Sequence, residues 1–438
     1  MWQLQYRWKK IINQSFWLLP AMCMVLAVII AMTTRWLDHQ HTFRLFNYST
    51  DGARTLLNSL TGSLLTFLVF VISSMLLIVQ LASSQLTPRI IAMAFTTRYT
   101  QFTLCLFVFT YTFSLATLVR IDDHVPQLSV GLSVLCTLLS IVVFFWFAQK
   151  LGTSLRPVSI VQAVCEATRR VIDEVYPVKF SPPVVSGRSA WKNQIVHETS
   201  SIVPYRYISG VLVAFDIARL VQLAQQANCT IELIPQVGDF VSKDDPLCRI
   251  YPENASLDTA SLQQAVIVGS ERTIELDPMF GFRIMVDIAS RALSAAINDP
   301  TTAVMAIDQL HRLLRYVGKR QLSDGTVVDS QGKLRLVYPT PNWEDFTSMA
   351  VSEIRQFGIS SIQIPRRLRA MLEHLLTIMP EERKPALREE LELLKQAVYL
   401  AYPIGMNRTR AETSDLQGIG GSAGVRITEE EGTSQDNA

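Results

Sequence analysis

Polar and apolar positions alternate in two different ways along this chain of 438 residues. Over the first third, charge disappears for long stretches. No Asp, Glu, Lys or Arg lies between Arg54 and Arg89 or between Arg98 and Arg120, and Phe16–Met32 and Pro126–Gln149 are equally uncharged. A helix needs about 20 apolar residues to cross a hydrocarbon core of roughly 30 Å, so the pattern predicts four transmembrane helices. A cleaved signal peptide is the rival for the first, since Arg7, Lys9 and Lys10 precede it. Its apolar run is long, however, and ends in Thr33-Thr34-Arg35-Trp36 rather than a small-x-small site.

The second apolar run is longer than a crossing requires. Thr55 to Pro88 as a helix would extend about 50 Å against a core of roughly 30 Å, so it must tilt, break or project. Within it Ser59, Thr66, Ser73 and Gln80 recur every seven residues and share one face. Such a face serves a helix–helix interface, where small and hydroxylated residues allow close approach. Alternatively it lines a wetted path in an oligomer, because polar side chains avoid lipid.

Beyond Gln149 the pattern changes. Ser154 to about Tyr176 reads as an amphipathic helix with Val158, Val161, Val164, Cys165 and Val171 near one face, stopped by Pro177, Pro182 and Pro183. Short β-like runs follow: SGVLVAF, CTIELIPQ, VGDFVSKDDPLCRIY and QAVIVGS. From Asp277 to Pro403 the periodicity is mostly helical, and the Gly-, Ser-, Thr- and Glu-rich tail from Asn407 is expected to be disordered. The expected fold is an α+β membrane protein, with four transmembrane helices followed by a cytosolic barrel-sandwich-like β module packed with helices. The boundaries are 1–150 for the transmembrane domain, 151–199 for a linker helix and Pro-rich connector, 200–276 for the β module, 277–403 for the helical region and 404–438 for the tail.

The segment VGDFVSKDDPLCRI looks like the strand–turn–strand of barrel-sandwich carrier domains, with a tight turn at Gly238-Asp239. A carrier presents a lysine on its central hairpin. Here Ile217 to Ala227 forms a helical insert and Lys243 sits in a different turn, so no swinging-arm cofactor is expected.

The stretch SRALSAAINDPTTA reads as one helix ending and a second beginning. Phe282, Met285, Ile288, Ala289, Ala292 and Leu293 recur at helical spacing, and Asp287 and Arg291 stand four apart in the favourable acid-first order. Asp299 takes the N-cap role and Pro300 the first helical position, where a missing N–H costs nothing. Ala303, Ile307, Leu310, Leu314 and Val317 then form a packing seam. Cap and seam explain Asp299 and Pro300 without a ligand. Arg291 and Asn298, with Arg272, Glu275, Asp277 and Arg283 upstream, leave a charged cluster that would suit an anion or an interface.

Composition narrows the function classes. The net charge of +2 gives no case for nucleic-acid binding. Basic residues gather on the side that holds the termini (Lys9, Lys10, Arg89, Arg98, Lys150 and Arg156), which favours cytoplasmic termini. None of the cysteines forms a Cys-x-x-Cys, as suits a reducing compartment without a zinc or disulfide framework. Asp38-His39-Gln40-His41 is a weak metal motif, GIGGSAG at Gly418 lacks the strand and Lys-Ser/Thr of a phosphate loop, and no catalytic motif occurs. No catalytic residue, metal or cofactor is assigned.

SSQLTPR, VGDFV, ERTIELDPMFGFRIMVDIASRALSAAINDPTTA and IRQFG together resemble the bacterial membrane-protein family called domain of unknown function 2254. The similarity spans roughly Trp17 to Tyr402, though that family tends to carry proline and glycine where this chain has Ala295-Ala296. The resemblance implies a bacterial inner-membrane location and the four-helix layout, and no established activity. Two function classes remain: an oligomeric channel or transport component, and a non-conducting scaffold or sensor that binds a partner or small ligand. The expected partners are the lipid bilayer, further copies of the chain and that unknown ligand. The candidate residues are Arg291, Asn298, Asp299, Pro300, Gln80, Pro88 and Arg89.

Overall fold

The computed structural model describes residues 17–40, 48–85, 98–121, 125–154, 156–181, 199–403 and 405–419. They belong to two units, Met1–Ile160 and Val161–Ala438. Pro88 and Arg89 lie outside the described residues.

The first unit contains α1 (Leu18–Gln40), α2 (Thr50–Gln85), α3 (Arg98–Leu118) and α4 (Gln127–Ser154). All four are long and apolar enough to cross a membrane. The central helix is α3, which packs on α1, α2 and α4. The over-long α2 does not break: it is one continuous helix from Thr50 to Gln85. At one end of the unit, polar side chains tie helix termini together. Asp38 of α1 accepts from the amides of Leu128 (3.0 Å) and Ser129 (3.2 Å), capping α4 from a neighbouring helix. An anionic carboxylate suits the positive end of the α4 dipole. The Gln127 side chain exchanges two bonds with the Tyr48 backbone (3.0 and 2.9 Å), and Arg54 donates to the Ile121 carbonyl at 2.8 Å.

The second unit continues α5 (Pro157–Val175), whose Val161, Val164, Cys165, Thr168, Val171 and Ile172 are buried. Among the described residues eight strands follow in two sheets. Strands β1 (Ser201–Pro204), β3 (Thr230–Leu233), β5 (Pro246–Tyr251), β7 (Thr326–Val328) and β8 (Leu334–Val337) form one sheet in the order β1-β5-β3-β8-β7. Strands β2 (Gly210–Phe215), β4 (Phe240–Val241) and β6 (Val266–Gly269) form the other, in the order β4-β2-β6. The helices α6 (Ile217–Gln226) and α7 (Thr259–Gln264) pack with them around Leu212, Leu220, Ile231, Leu247 and Leu262.

The expected barrel is corrected. The described residues form no closed barrel, and the reason lies in β8. This strand comes from the stretch read as helical, yet it pairs in parallel with β3 through Ile231↔Leu336 and Glu232↔Val337. It extends the sheet sideways, so β1 and β7 remain edges. The 276/277 boundary therefore cuts a sheet.

Five helices complete the unit: α8 (Pro278–Ala292), α9 (Pro300–Val317), α10 (Trp343–Gly358), α11 (Gln363–Ile378) and α12 (Lys384–Ala401). Ala303, Ile307, Leu310, Leu314 and Val317 are all fully buried, as the seam requires. A short α13 (Met406–Ala411) and the turns to Ile419 fall inside the stretch expected to be disordered. Arg366 and Arg367 hold this segment through backbone carbonyls, those of Thr413 (3.1 Å), Asp415 (3.0 Å) and Leu416 (2.9 Å). Order there comes from backbone bonds, which composition does not report.

Where α5 meets α8, Gly281 lets the helices approach closely: a Cβ there would stand 2.1 Å from the Thr168 hydroxyl oxygen. Gly281→Ala should destabilise the unit by about 1–3 kcal/mol through overpacking. The double variant with Thr168→Ala should be more stable than Gly281→Ala alone in denaturant unfolding; simple addition of the two losses would contradict the contact.

Candidate functional site

The polar turn between α8 and α9 forms as a capping structure. Asp299 accepts from the Thr302 amide at 3.1 Å and also binds the Thr302 hydroxyl, and Pro300 opens α9. Asn298 adopts a left-handed φ of 49°, which asparagine tolerates better than most residues. Its amide donates to the Ser294 carbonyl at 2.8 Å and the Asp299 amide to the Ala292 carbonyl at 2.7 Å. Arg291 is half-buried in the last turn of α8. Gly358 of the IRQFG segment closes on this turn, where an added Cβ would lie 3.1 Å from a Leu293 methyl.

The upstream charges do not converge on one ligand site. Arg272 bonds Asp277 at 2.5 Å and lies over the Phe280 ring, while Arg283 pairs with Asp287 (2.8 Å) and with Glu353. Asp277 is a second Asp-Pro cap, accepting from the Phe280 amide at 3.1 Å. Burial pushes its carboxyl up, against the Arg272 guanidinium and two backbone amides. Gly238, at φ 98°, leaves room for the Arg272 guanidinium, whose Cζ would be 2.3 Å from a Cβ there. The VGDF turn and the ERTIELDP segment thus meet through Arg272. Beside them lies an open depression of about 450 Å³ lined by Gln236, Asp239, Arg272, Met279, Asp345 and Glu353.

On α2, Ser59, Thr66, Ser73 and Gln80 are all exposed, while Ala53, Leu57, Leu64, Val71 and Met75 make the internal contacts. Among the described residues the predicted stripe therefore serves no interface within one chain. The Thr66 hydroxyl bonds back to the Gly62 carbonyl at 3.1 Å, which removes most of the penalty of facing lipid. Gln80 lies near the C-terminal end of α2.

Buried hydroxyls lie instead on α3 and α4, which meet at Thr110 and Ser140. Thr103, Thr110, Ser114 and Thr117 on α3, and Ser129, Ser133, Thr137 and Ser140 on α4, are all buried. Thr110 Oγ1 lies 3.2 Å from Ser140 Oγ. For antiparallel helices this pairing sets Ser114 level with Thr137 and Thr117 with Ser133. The seam ends at Ser129, whose hydroxyl lies 3.0 Å from Thr34 Oγ1 and 3.1 Å from Asp38 Oδ2. Asp38 is thus a cap and the terminus of a hydroxyl row. From Ser129 to Ser140 the seam runs about 16 Å, half of a roughly 30 Å core. On the side of Thr110 toward Thr103, Phe67 of α2 lies 6.4 Å from the Phe107 ring and 5.2 Å from the Phe144 ring, centroid to centroid. The signal was present in the sequence, since Thr103, Thr110 and Thr117 repeat at seven just as the α2 stripe does.

Four membrane-length helices with an internal hydroxyl seam, joined to a mixed sheet and helical bundle, define a multi-span membrane protein with a large second unit. The chain belongs to the family described as "Predicted membrane protein (DUF2254)", which matches residues 13–374. It is 26% identical over 411 residues to an uncharacterized protein of Mycobacterium bovis and, to the same extent, to one of Mycobacterium tuberculosis, covering 88% of this chain and 74% of each relative. No solved structure matches it.

Asp299→Ala should cost about 1 kcal/mol through the lost cap, whereas Asp299→Ser or Asp299→Asn should cost little. Loss of function without loss of thermal stability in all three would instead assign the carboxylate a ligand role. A pH response is expected from His311, whose Nε2 lies 2.8 Å from His374 Nδ1 across α9 and α11. Burial, reinforced by His374, Arg367 and Arg315, brings His311 down to about 4 from its ordinary 6.5. The folded chain keeps this ring neutral where the unfolded chain takes up a proton. Its contribution is therefore full above pH 6.5 and is lost as the pH falls toward 4. The unfolding midpoint should drop over that window and drop less in His311→Gln; equal slopes would contradict the assignment.

Proposed function

We propose that the chain is a transport component of the channel class, with its path inside the membrane unit of a single chain along the α3–α4 seam. One observation carries the reading. Two helices of membrane length, α3 and α4, bury hydroxyl side chains along their length, meet at Thr110 and Ser140, and end at the Asp38 carboxylate that Ser129 bonds. Polar groups at such depth are expensive and tend to mark pathways. Close packing of small residues accounts for some of them, but not for the fully buried Ser114, whose hydroxyl has no partner. In this reading the protein lies in a bacterial inner membrane with cytoplasmic termini, following its basic residues. Asp38 then opens to the outer face, and the exposed α2 face meets lipid or a second copy.

The open depression beside Arg272 favours the second reading, a non-conducting scaffold or sensor that binds a partner or small ligand. Conductance of the purified full-length protein in planar bilayers bathed in KCl separates the two. The transport reading expects discrete conductance that falls at least tenfold in Thr110→Val, a near-isosteric change. A folded protein with no conductance would overturn it and leave the scaffold in front.

A further inference from the structure

An open hollow in the second unit lies apart from every residue that the transport reading uses. Three helices wall it over about 630 Å³: α11 contributes Arg369, α12 contributes Lys395, Tyr399 and Leu400, and α13 with its C-cap contributes Arg408 and Glu412. Its walls are tied together, because Arg366 and Arg367 of α11 hold the chain leaving α13 by the backbone carbonyls of Thr413, Asp415 and Leu416. The volume falls within the range of small-ligand sites, roughly 300–1,000 Å³.

Charge in the hollow is one-sided. Its lining holds three cations and one carboxylate, a surplus of two positive charges. Each cation has a partner within one helical turn: Arg369 pairs with Glu373 (2.7 Å), Lys395 with Glu392 (2.6 Å) and Arg408 with Glu412 (2.9 Å). Such pairs are weak, the more so in the basic-first order of the two arginine pairs. Glu373 and Glu392 stand outside the lining, so with Glu412 offset by Arg408 the surplus rests on Arg369 and Lys395. Arg369 reaches its carboxylate through Nε alone, and Arg408 adds only a 3.4 Å bond from one terminal nitrogen to the Pro403 carbonyl. Neither is the two-pronged pairing that saturates a guanidinium, so both keep terminal N–H groups for an anion.

The rest of the hollow is apolar. Tyr399 and Leu400 line it while 55% and 78% exposed, and Met406 at the start of α13 is 71% exposed. The Arg408 guanidinium lies 4.3 Å from the centre of the Tyr399 ring, so cation and aromatic ring share one wall. A free inorganic anion would leave these side chains in water. A ligand with an anionic head and a hydrocarbon chain covers both parts.

We infer that the hollow binds an anionic phospholipid, with the phosphate on Arg369, Lys395 and Arg408 and the start of the acyl chains on Tyr399 and Leu400. Bilayer lipid is the amphiphile at hand for a chain with four membrane-length helices. Basic and aromatic side chains are the ones that engage its headgroups. The site stands independently of any path along α3 and α4.

Hydrogen exchange of the full-length protein in lipid nanodiscs tests it, comparing discs of phosphatidylcholine with discs that also hold phosphatidylglycerol. Amides of residues 392–412 should exchange about fivefold more slowly when phosphatidylglycerol is present. Inorganic phosphate added to the phosphatidylcholine discs should not reproduce the effect. Arg369→Gln combined with Lys395→Gln should abolish the protection while exchange in α8 and α9 stays unchanged, and Leu400→Ser should weaken it. Equal exchange in the two discs, or protection that survives the double variant, would overturn the site. Equal protection by inorganic phosphate, or full protection in Leu400→Ser, would leave a general anion site and overturn the lipid assignment.

Discussion

In a membrane core no water is available to complete a polar group's hydrogen bonds, so each must find its partner within the protein. The first unit is organised around that constraint. Its hydroxyls satisfy themselves by bonding to the preceding turn of their own helix, and its helix ends are closed by side chains from other helices, as Asp38 and Gln127 show. Thr110 and Ser140 also meet each other across α3 and α4, and the buried Ser114 hydroxyl is left without a partner.

The second unit meets the same demand differently. Two Asp-Pro pairs, at Asp277 and Asp299, start consecutive helices; each carboxylate takes an amide of the first turn, and proline removes a donor that would otherwise be orphaned. The first cap does more. Its carboxylate also holds Arg272, which leans on the backbone of Gly238, so the start of the helical bundle and a turn of the β module are fixed by one guanidinium.

The membrane helices were legible because uncharged apolar runs of such length match the thickness of a bilayer core and little else. Strands β2, β3, β5 and β6 were legible as short apolar runs. The β7–β8 hairpin was not, because its sequence, TVVDSQGKLRLV, carries charges that read as surface. In the structure Arg335 and Asp329 pair at 2.7 Å with 7% and 3% exposure, and Arg335 also meets the Asn228 side chain at 3.2 Å. Neutralised in this way, a charged strand joins the sheet interior and turns an expected barrel into an extended sheet. Asp299 and Pro300 were read correctly as cap and first helical residue because capping is local. The α2 stripe was legible but the Thr110–Ser140 contact was not, because periodicity reveals that a helix has a polar face, not which neighbour that face meets. Thr110 finds Ser140 only when the helices are assembled.

Thiol labelling of Ser114→Cys, in full-length protein otherwise free of cysteine, tests the central claim most directly. A path along α3 and α4 predicts that the folded protein reacts with a small charged thiol reagent. A folded protein whose introduced thiol resists the reagent would contradict it.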